Sequence, residues 1–279
     1  MAKKALLIGI NYLDSPTNAL NGCINDVVNM RNMLIDAYGY DSNNINVLRE
    51  DTDNKPTRAN IIDSLTSIVA QSARLKELWI QYSGHGSQID DANSDENDNL
   101  DETIAPLDYL QSSFITDDVI FNIVKNSKCP TILIFDSCNS GTICDLMWNF
   151  NAVSPTQVSA VKTNNTLIKN PNIFCFSGCK DIQTSAEIFN YDTKQSCGAI
   201  STAIIECLRF NKHNVDMKKL YLDVVAYIML QGLTQIPQMS TSSQRPNYRI
   251  CRSTIKEVNN SYVSSSSVLR STMKNILRS

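Results

Sequence analysis

TILIFDSCNSG, from Thr131 to Gly141, joins an apolar run to a turn of small polar residues. Its first five residues are of the β-rich, apolar type that a parallel sheet buries on both faces. Residues 78–88, LWIQYSGHGSQ, repeat the same arrangement. Because sites in an open α/β sheet collect beyond the carboxyl ends of its strands, we expect one strand to deliver Cys138 and another His85 to the same edge. A thiol beside an imidazole is what a cysteine nucleophile with a histidine base requires.

Cys138 and His85 each have a plainer interpretation. A lone cysteine is most often a buried structural residue, and a histidine can also belong to a core. The strand and Gly-containing turn around Cys138, with the glycines on both sides of His85, favour a functional pair instead. The chain has only one other histidine, His213, which lies between two predicted helices and is expected to be solvated.

Composition describes an ordinary globular protein of 279 residues, with 42% hydrophobic and 19% charged residues. A formal charge of −3 gives no general attraction to nucleic acid or to anionic membranes. Nine cysteines without paired spacing, and no secretory signal, indicate reduced thiols. No segment has the length of apolar sequence that a transmembrane helix needs. We therefore expect a cytoplasmic protein without nucleic-acid or membrane partners.

Strand and helix patterns alternate along the chain. Strands are predicted at Ala5–Ile10, Ile45–Leu48, Leu78–Tyr82, Thr131–Phe135, Ile173–Phe176 and Tyr248–Cys251. Helices are predicted at Asn21–Tyr38, after Pro56-Thr57 with Thr57 as N-cap, at Thr116–Asn126, after Gly141, at Ala199–Leu208 and at Met217–Leu230. The acidic run between residues 90 and 118 and the Ser/Thr/Asn-rich residues 151–170 are predicted to be loops. This order predicts an α/β fold, with a mostly parallel sheet flanked by helices.

Several blocks of the sequence resemble the metacaspases, the caspase-like cysteine peptidases found outside animals. YSGHGSQ at 82–88 and IFDSCNSG at 134–141 are similar to the family's two signature blocks. His85 precedes Cys138 by 53 residues, close to the roughly 50 of caspase-like enzymes. Further similar blocks, in the family's order, are GCINDV at 22–27, IAPLD at 104–108, FSGCKD at 176–181, QTSAE at 183–187 and QIPQ at 235–238. The resemblance implies a caspase-like sandwich.

The resemblance also implies a domain division. We expect one peptidase domain over residues 1–252, with a large-subunit-like part at 1–150, a linker loop at 151–170 and a small-subunit-like part at 171–252. Residues 253–279 are expected to form a Ser-rich tail that is mobile or lightly docked. No Pro/Gln-rich or zinc-finger region precedes Lys3, so we expect no control by such a region within this sequence. The long linker of type II members is also absent, which favours a compact type I-like core. Lys162 and Lys169 are possible self-cleavage sites, or simply solubilising charges.

The expected chemistry depends on Cys138 as nucleophile and His85 as general base. In the resembling family, the oxyanion is stabilised by the backbone N–H groups of the residue after the histidine and of the nucleophile, here Gly86 and Cys138. No third member of a triad is evident from the sequence. Asn139 stands where the family usually has histidine, and we expect this to tune the site without abolishing activity.

The alternation of side chains along the two strands indicates which residues could form a substrate pocket. Asp136 lies two residues before Cys138, and Ser83 two before His85, so each pair shares a face of its strand. On its own, Asp136 could orient His85, bind a substrate cation or accept hydrogen bonds from loop amides. The resemblance implies that Asp26, Ser83 and Asp136 line an acidic pocket, and hence cleavage after Arg or Lys.

The acidic run suggests a metal site. Four of its residues fit EF-hand positions, but Glu96 replaces the required glycine and helical flanks are missing, so we reject an EF-hand. Type I metacaspases bind activating calcium through four aspartates, which match Asp101, Asp117, Asp118 and Asp145. Without the resemblance, Asp117 and Asp118 could complement a helix dipole, and Asp145 could be a surface residue. The spacing of the cysteines and histidines does not suggest zinc.

Together these observations predict a monomeric, calcium-stimulated cysteine endopeptidase that cleaves protein or peptide substrates after Arg or Lys. One alternative is a caspase-like peptidase of different preference, such as a legumain or gingipain relative. The other is a catalytically silent scaffold protein.

Overall fold

The computed structural model describes residues 1–15, 17–90, 100–138, 143–144, 146–178, 187–190 and 195–253. The strands are β1 (Ala2–Gly9), β2 (Ile45–Arg49), β3 (Leu75–Ser83), β4 (Gly86–Asp90), β5 (Leu100–Ile104), β6 (Ile115–Thr116), β7 (Thr131–Asp136), β8 (Trp148–Ser154), β9 (Gln157–Lys162), β10 (Ile173–Ser177), β11 (Glu187–Asn190), β12 (Gln195–Gly198), β13 (Asn214–Asp216), β14 (Gln238–Thr241) and β15 (Arg249–Cys251). The α-helices are α1 (Cys23–Tyr38), α2 (Arg58–Ala70), α3 (Tyr109–Ser112), α4 (Asp117–Val124), α5 (Ala199–Phe210) and α6 (Met217–Leu230).

Within the described residues, eight strands form the central sheet, in the order β2-β1-β3-β7-β10-β14-β8-β9. The first five are parallel to one another, and β14, β8 and β9 continue the sheet in antiparallel pairs. The strands that the sequence predicts as apolar runs, β3 and β7, are neighbours at the centre. The predicted α/β fold with a mostly parallel central sheet is confirmed.

Two hydrophobic cores cover the two faces of this sheet. One core packs α1, α5 and α6 against one face, and the other packs α2 and α4 against the opposite face. Alternate residues of one strand belong to different cores: Trp79 lies in the first, whereas Leu78 and Ile80 lie in the second. This double burial explains why β3 and β7 are almost continuously apolar. The same alternation determines which side chains of β3 and β7 point toward α1 and α5.

Local signals at helix ends are confirmed in detail. Thr57 is the N-cap of α2, and its side chain accepts a hydrogen bond from the backbone N–H of Asn60. His213 lies between α5 and α6 as predicted, just before the short strand β13, but it is partly buried and not solvated as expected. Its Nδ1 is 3.1 Å from the hydroxyl of Tyr38, and burial lowers the pKa of His213 to about 4.

The predicted loop at residues 151–170 is partly wrong, because β8 and β9 form an antiparallel hairpin there. Val153 and Val161 are more than half exposed, so this edge hairpin lacks the strict alternation of buried apolar residues that identifies a strand. The acidic segment likewise contains the strands β5 and β6, which join β4 in a small three-stranded sheet. The helix predicted after Gly141 lies mostly outside the described residues, as do residues 254–279 of the predicted tail, whereas Ile143 and Cys144 form a turn.

Candidate active site

Strands β3 and β7 end together, at the edge that the sequence predicts for the site. They pair in parallel, with Ser83 opposite Asp136 in the last register position. Just beyond this pair, the backbone N–H of Gly84 donates to the carbonyl of Asp136 at 3.3 Å. His85 lies two residues after Ser83, and Cys138 lies two residues after Asp136, so both follow this aligned pair at the same distance. The expectation that neighbouring strands deliver both residues to one edge is met.

Gly86, the residue after His85, packs against the backbone of Cys138. A Cβ atom added at Gly86 would lie 2.0 Å from the carbonyl oxygen of Cys138 and 3.1 Å from the Oγ of Ser137. Only glycine permits so close an approach. The segments predicted to supply the nucleophile and the two oxyanion donors are therefore in contact. Cys138 and His85 are both partly exposed, so reagents can reach this edge.

The imidazole of His85 has a partner that the sequence does not reveal. Its Nε2 lies 2.7 Å from the backbone carbonyl of Asn18. Because a carbonyl oxygen only accepts hydrogen bonds, Nε2 carries a proton in this contact, and the tautomer that fits it has its lone pair on Nδ1. A backbone carbonyl thus stands where many catalytic histidines have a carboxylate. No side-chain pattern could have identified it, since any residue at position 18 supplies the same group.

Two of the predicted pocket residues converge on the start of α5. Asp26, on α1, accepts a hydrogen bond from the N–H of Gly198 at 2.8 Å, and Asp136 accepts one from the N–H of Ser201 at 2.8 Å. Both carboxylates are at most 5% exposed. A Cβ atom at Gly198 would lie 2.1 Å from Oδ2 of Asp136, so the backbone there touches the carboxylate. Asp136 therefore accepts a hydrogen bond from a backbone amide, as one of the open alternatives expects, but this amide belongs to the first turn of α5 and not to a loop.

Ser83, the third predicted pocket residue, is fully buried beneath the same helix start. The amide Nε2 of Gln81 lies 3.2 Å from the Oγ of Ser83 and 2.9 Å from the Oγ of Ser201. Strand β3 and helix α5 are thereby joined below Asp136. Gln81, Gly198 and Ser201 could not be found from the sequence, because their hydrogen bonds to Ser201, Asp26 and Asp136 span 120, 172 and 65 residues of chain, respectively.

Three of the four predicted calcium ligands lie at or beside the small sheet. Asp101 is on β5, and Asp117 and Asp118 form the first turn of α4, directly after β6. Thr103 pairs with Thr116 in antiparallel register, which carries the chain after β6 toward Asp101. Asp101 and Asp117 are at most 6% exposed. All the donors are carboxylates, which suit a hard cation such as Ca²⁺ and not zinc.

This arrangement is not a complete metal site by itself. Across the described residues, no three His, Cys, Asp or Glu side chains are arranged to hold a metal ion. Asp145, the fourth predicted ligand, lies outside the described residues. The predicted dipole role of Asp117 is compatible with the fold, since it also occupies the N-terminal turn of α4.

A family profile described as metacaspase, peptidase C14 domain, matches residues 3–147, just over half of the chain. Metacaspase-1B of Aspergillus oryzae is 34% identical over 86% of this chain and 68% of its own length. This chain belongs to the metacaspase family. It is therefore a cysteine peptidase of the caspase-like class, and proteins or peptides are its substrates.

Solved structures agree with this metacaspase assignment at the level of the fold. Caspase-1 from Spodoptera frugiperda has a TM-score of 0.57 at 11% identity, covering 87% of both chains. A protein from Geobacter sulfurreducens has a TM-score of 0.60 at 20% identity, covering 88% of this chain and 95% of its own. The caspase-like sandwich that the resemblance implies is confirmed. Among the described residues, none of the metacaspase's helices has the length and hydropathy needed to cross a lipid bilayer.

Proposed function

We propose that this metacaspase is a calcium-stimulated endopeptidase that cleaves peptide bonds after Arg or Lys. Cys138 is the nucleophile and His85 the general base. The observation that carries the proposal is the shared end of β3 and β7, beside two buried carboxylates that meet at Gly198. A nucleophile, a base and a negatively charged recess are the three parts that such a reaction needs.

In the proposed reaction, Nδ1 of His85 takes the thiol proton of Cys138, because its Nε2–H is engaged by the Asn18 carbonyl. The thiolate attacks the scissile carbonyl and forms a tetrahedral intermediate. Backbone N–H groups of Gly86 and Cys138 stabilise the oxyanion. His85 then donates the proton to the leaving amine, and water hydrolyses the thioester with His85 again acting as base.

Charge and burial support a basic residue before the cleaved bond. Asp26 and Asp136 belong to different elements but both reach the start of α5, so two carboxylates lie where the recess is proposed. A guanidinium or ammonium entering it would neutralise charge in a place shielded from water. Arg has the additional advantage of planar, bidentate hydrogen bonding to carboxylates. An acidic substrate residue would be repelled.

The proposal includes calcium as an activator, held by Asp101, Asp117, Asp118 and Asp145. Asp101 and Asp117 are buried carboxylates, and carboxylate oxygens are the ligands that a hard divalent cation such as Ca²⁺ prefers. Strand β5, which carries Asp101, pairs with β4, which begins at Gly86. Calcium bound at Asp101 would hold β5 in place, and β5 would in turn hold β4, the strand that starts beside His85. Free, buried thiols such as Cys129, Cys175 and Cys207 support the further proposal of a cytoplasmic location. The proposal also keeps the protein as a monomer.

Four fluorogenic peptides that differ only in Arg, Lys, Asn or Asp before the reporter test this proposal. We expect turnover of the Arg and Lys peptides with calcium and little with chelator. A preference for Asn or Asp would reject the basic pocket while keeping the peptidase. Equal rates with calcium and with chelator would reject only the role of calcium as an activator. If none of the four peptides is turned over, the proposed endopeptidase activity is rejected.

Asp117→Asn is expected to raise the calcium concentration needed for half-maximal activity by roughly 10- to 100-fold, since it removes a charged ligand. Calorimetric titration of calcium should show the same loss of affinity without any substrate. Asp90→Asn is the matched control, because Asp90 is an exposed acid of the same segment. An Asp117→Asn protein that binds calcium like the wild type would contradict the assignment of this ligand.

A further inference from the structure

The peptide that carries His85 is held on both sides by tyrosine hydroxyls. The backbone N–H of His85 donates to the hydroxyl of Tyr12 at 3.0 Å, and the hydroxyl of Tyr82 donates to the carbonyl of His85 at 2.7 Å. The two hydroxyl oxygens are 3.1 Å apart. Tyr12 also donates to the carbonyl of Ala105 at 2.7 Å, which ties the pair to the end of β5.

Tyr12 additionally contacts the imidazole itself. The ring centroids of Tyr12 and His85 are 4.6 Å apart, at an angle of 37° between their planes. The same loop supplies the Asn18 carbonyl to Nε2 of His85. One short loop thus makes three contacts to this residue: to its backbone N–H, to its ring face and to its outer ring nitrogen.

The backbone of Tyr12 adopts an uncommon conformation to make these contacts. Its φ is +54°, in the left-handed region that non-glycine residues rarely occupy, and its side chain is 3% exposed. Such conformations persist where the surrounding structure imposes them, and they concentrate at functional sites. Burial also raises the pKa of Tyr12 well above its usual value, so the hydroxyl keeps the proton that it donates.

Glu50 holds the loop in place. Its carboxylate accepts hydrogen bonds from the backbone N–H groups of Asn11 and Leu13, on both sides of Tyr12, the second at 2.9 Å. Glu50 is 8% exposed and follows directly after β2. Gly84 completes the arrangement, because a Cβ atom there would lie 2.5 Å from the Tyr82 hydroxyl.

We infer that Tyr12 is a positioning residue for His85, and that Glu50 sets the position of Tyr12. This inference rests on the proposed role of His85 as general base. Tyr12 touches neither the thiol nor the substrate in this account. It fixes the ring orientation in which Nδ1, and not Nε2, is available to take a proton. Small displacements of a catalytic group cost rate while substrate binding is kept.

Tyr12→Phe removes only the hydroxyl and should lower kcat by roughly 10-fold, with KM within about twofold of wild type, because the base is misplaced while the pocket is intact. Tyr12→Leu, which also loses the ring, should lower kcat by roughly 100-fold. Glu50→Gln should reproduce the kcat loss of Tyr12→Phe without touching His85. It also carries the same test if the Tyr12 variants fail to fold.

Tyr40→Phe is the matched control. Tyr40 is equally buried, and its hydroxyl donates to Glu77 at 2.7 Å, near the opposite end of β3. Its kcat should stay within about twofold of wild type, although its melting temperature should fall about as much as that of Tyr12→Phe. If the two variants lose kcat in proportion to their melting temperatures, Tyr12 is merely structural and the inference is overturned.

Nitrogen NMR of the imidazoles gives a readout that stability alone does not move. With two histidines in the chain, His85 can be assigned by comparison with His213→Gln. We expect a single Nε2–H tautomer for His85 in the wild type and a mixture in Tyr12→Phe. An unchanged tautomer together with an unchanged kcat overturns the inference. If instead the wild type is inactive, or His85→Ala keeps full activity, the proposed function is what fails.

Discussion

Cys138→Ala and His85→Ala are each expected to lower kcat for an Arg peptide by roughly 10⁴-fold or more, since each removes one half of a unit that transfers a proton and forms the thioester. The double variant should be no slower than the slower single variant. Such non-additivity is the kinetic sign that two residues act together. The measurement is steady-state kinetics with calcium present, at a single pH for all variants.

Two matched controls exist within the chain. His213→Gln removes the only other histidine, which packs against Tyr38. Cys251→Ala removes an exposed thiol on β15. Both should keep kcat within about twofold of wild type, as expected for residues remote from the reacting groups. A double variant that is slower than wild type by the product of the two single-variant effects would contradict the dyad.

The second large effect is expected at the pocket. Asp26→Asn should lower kcat/KM for Arg peptides by roughly 100- to 1,000-fold, because an amide cannot neutralise a buried guanidinium. The asparagine keeps an oxygen that can accept from the N–H of Gly198, so the start of α5 is retained. The loss should be much smaller for a peptide with an uncharged residue at the same place. Comparing the rates for the two peptides therefore distinguishes a loss of specificity for Arg from a general loss of activity.

Asp223→Asn is the control for the general effect of replacing a buried carboxylate by an amide. Asp223 is fully buried on α6 and pairs with Lys219 at 2.8 Å, outside the recess formed by Asp26 and Asp136. Its replacement should lower the melting temperature without changing the ratio of Arg to uncharged peptide rates. If Asp26→Asn lowers both rates equally, the carboxylate only supports α5, and the recess is not a pocket for basic residues.

The sequence predicts the centre of the sheet because both faces of β3 and β7 must be apolar there. It equally predicts where each strand ends, since small polar residues replace the apolar run, and this alone places Cys138 and His85 at one edge. The role of Asp26 could be predicted only from the family resemblance, because Asp26 reaches the site from another element, α1. Its contact with Gly198 spans 172 residues.

Other parts of the site leave no trace in a single sequence. The Asn18 carbonyl belongs to the backbone, which every residue has. Tyr12 looks like any aromatic residue after a strand, and its left-handed backbone is imposed by contacts with distant elements. Strand β5 was missed because its Asp101, Glu102 and Thr103 are buried, whereas a run of acids ordinarily indicates a solvated loop.

Activation of the Cys138 thiol by His85 is the central claim about this enzyme, and a covalent label tests it most directly. The reagent is an Arg-terminated peptide that carries an electrophilic ketone, and mass spectrometry maps its adduct among the nine cysteines. We expect one adduct, on Cys138, forming at least roughly 100-fold more slowly in His85→Ala. An adduct on another cysteine, or an equal rate in His85→Ala, would contradict the account.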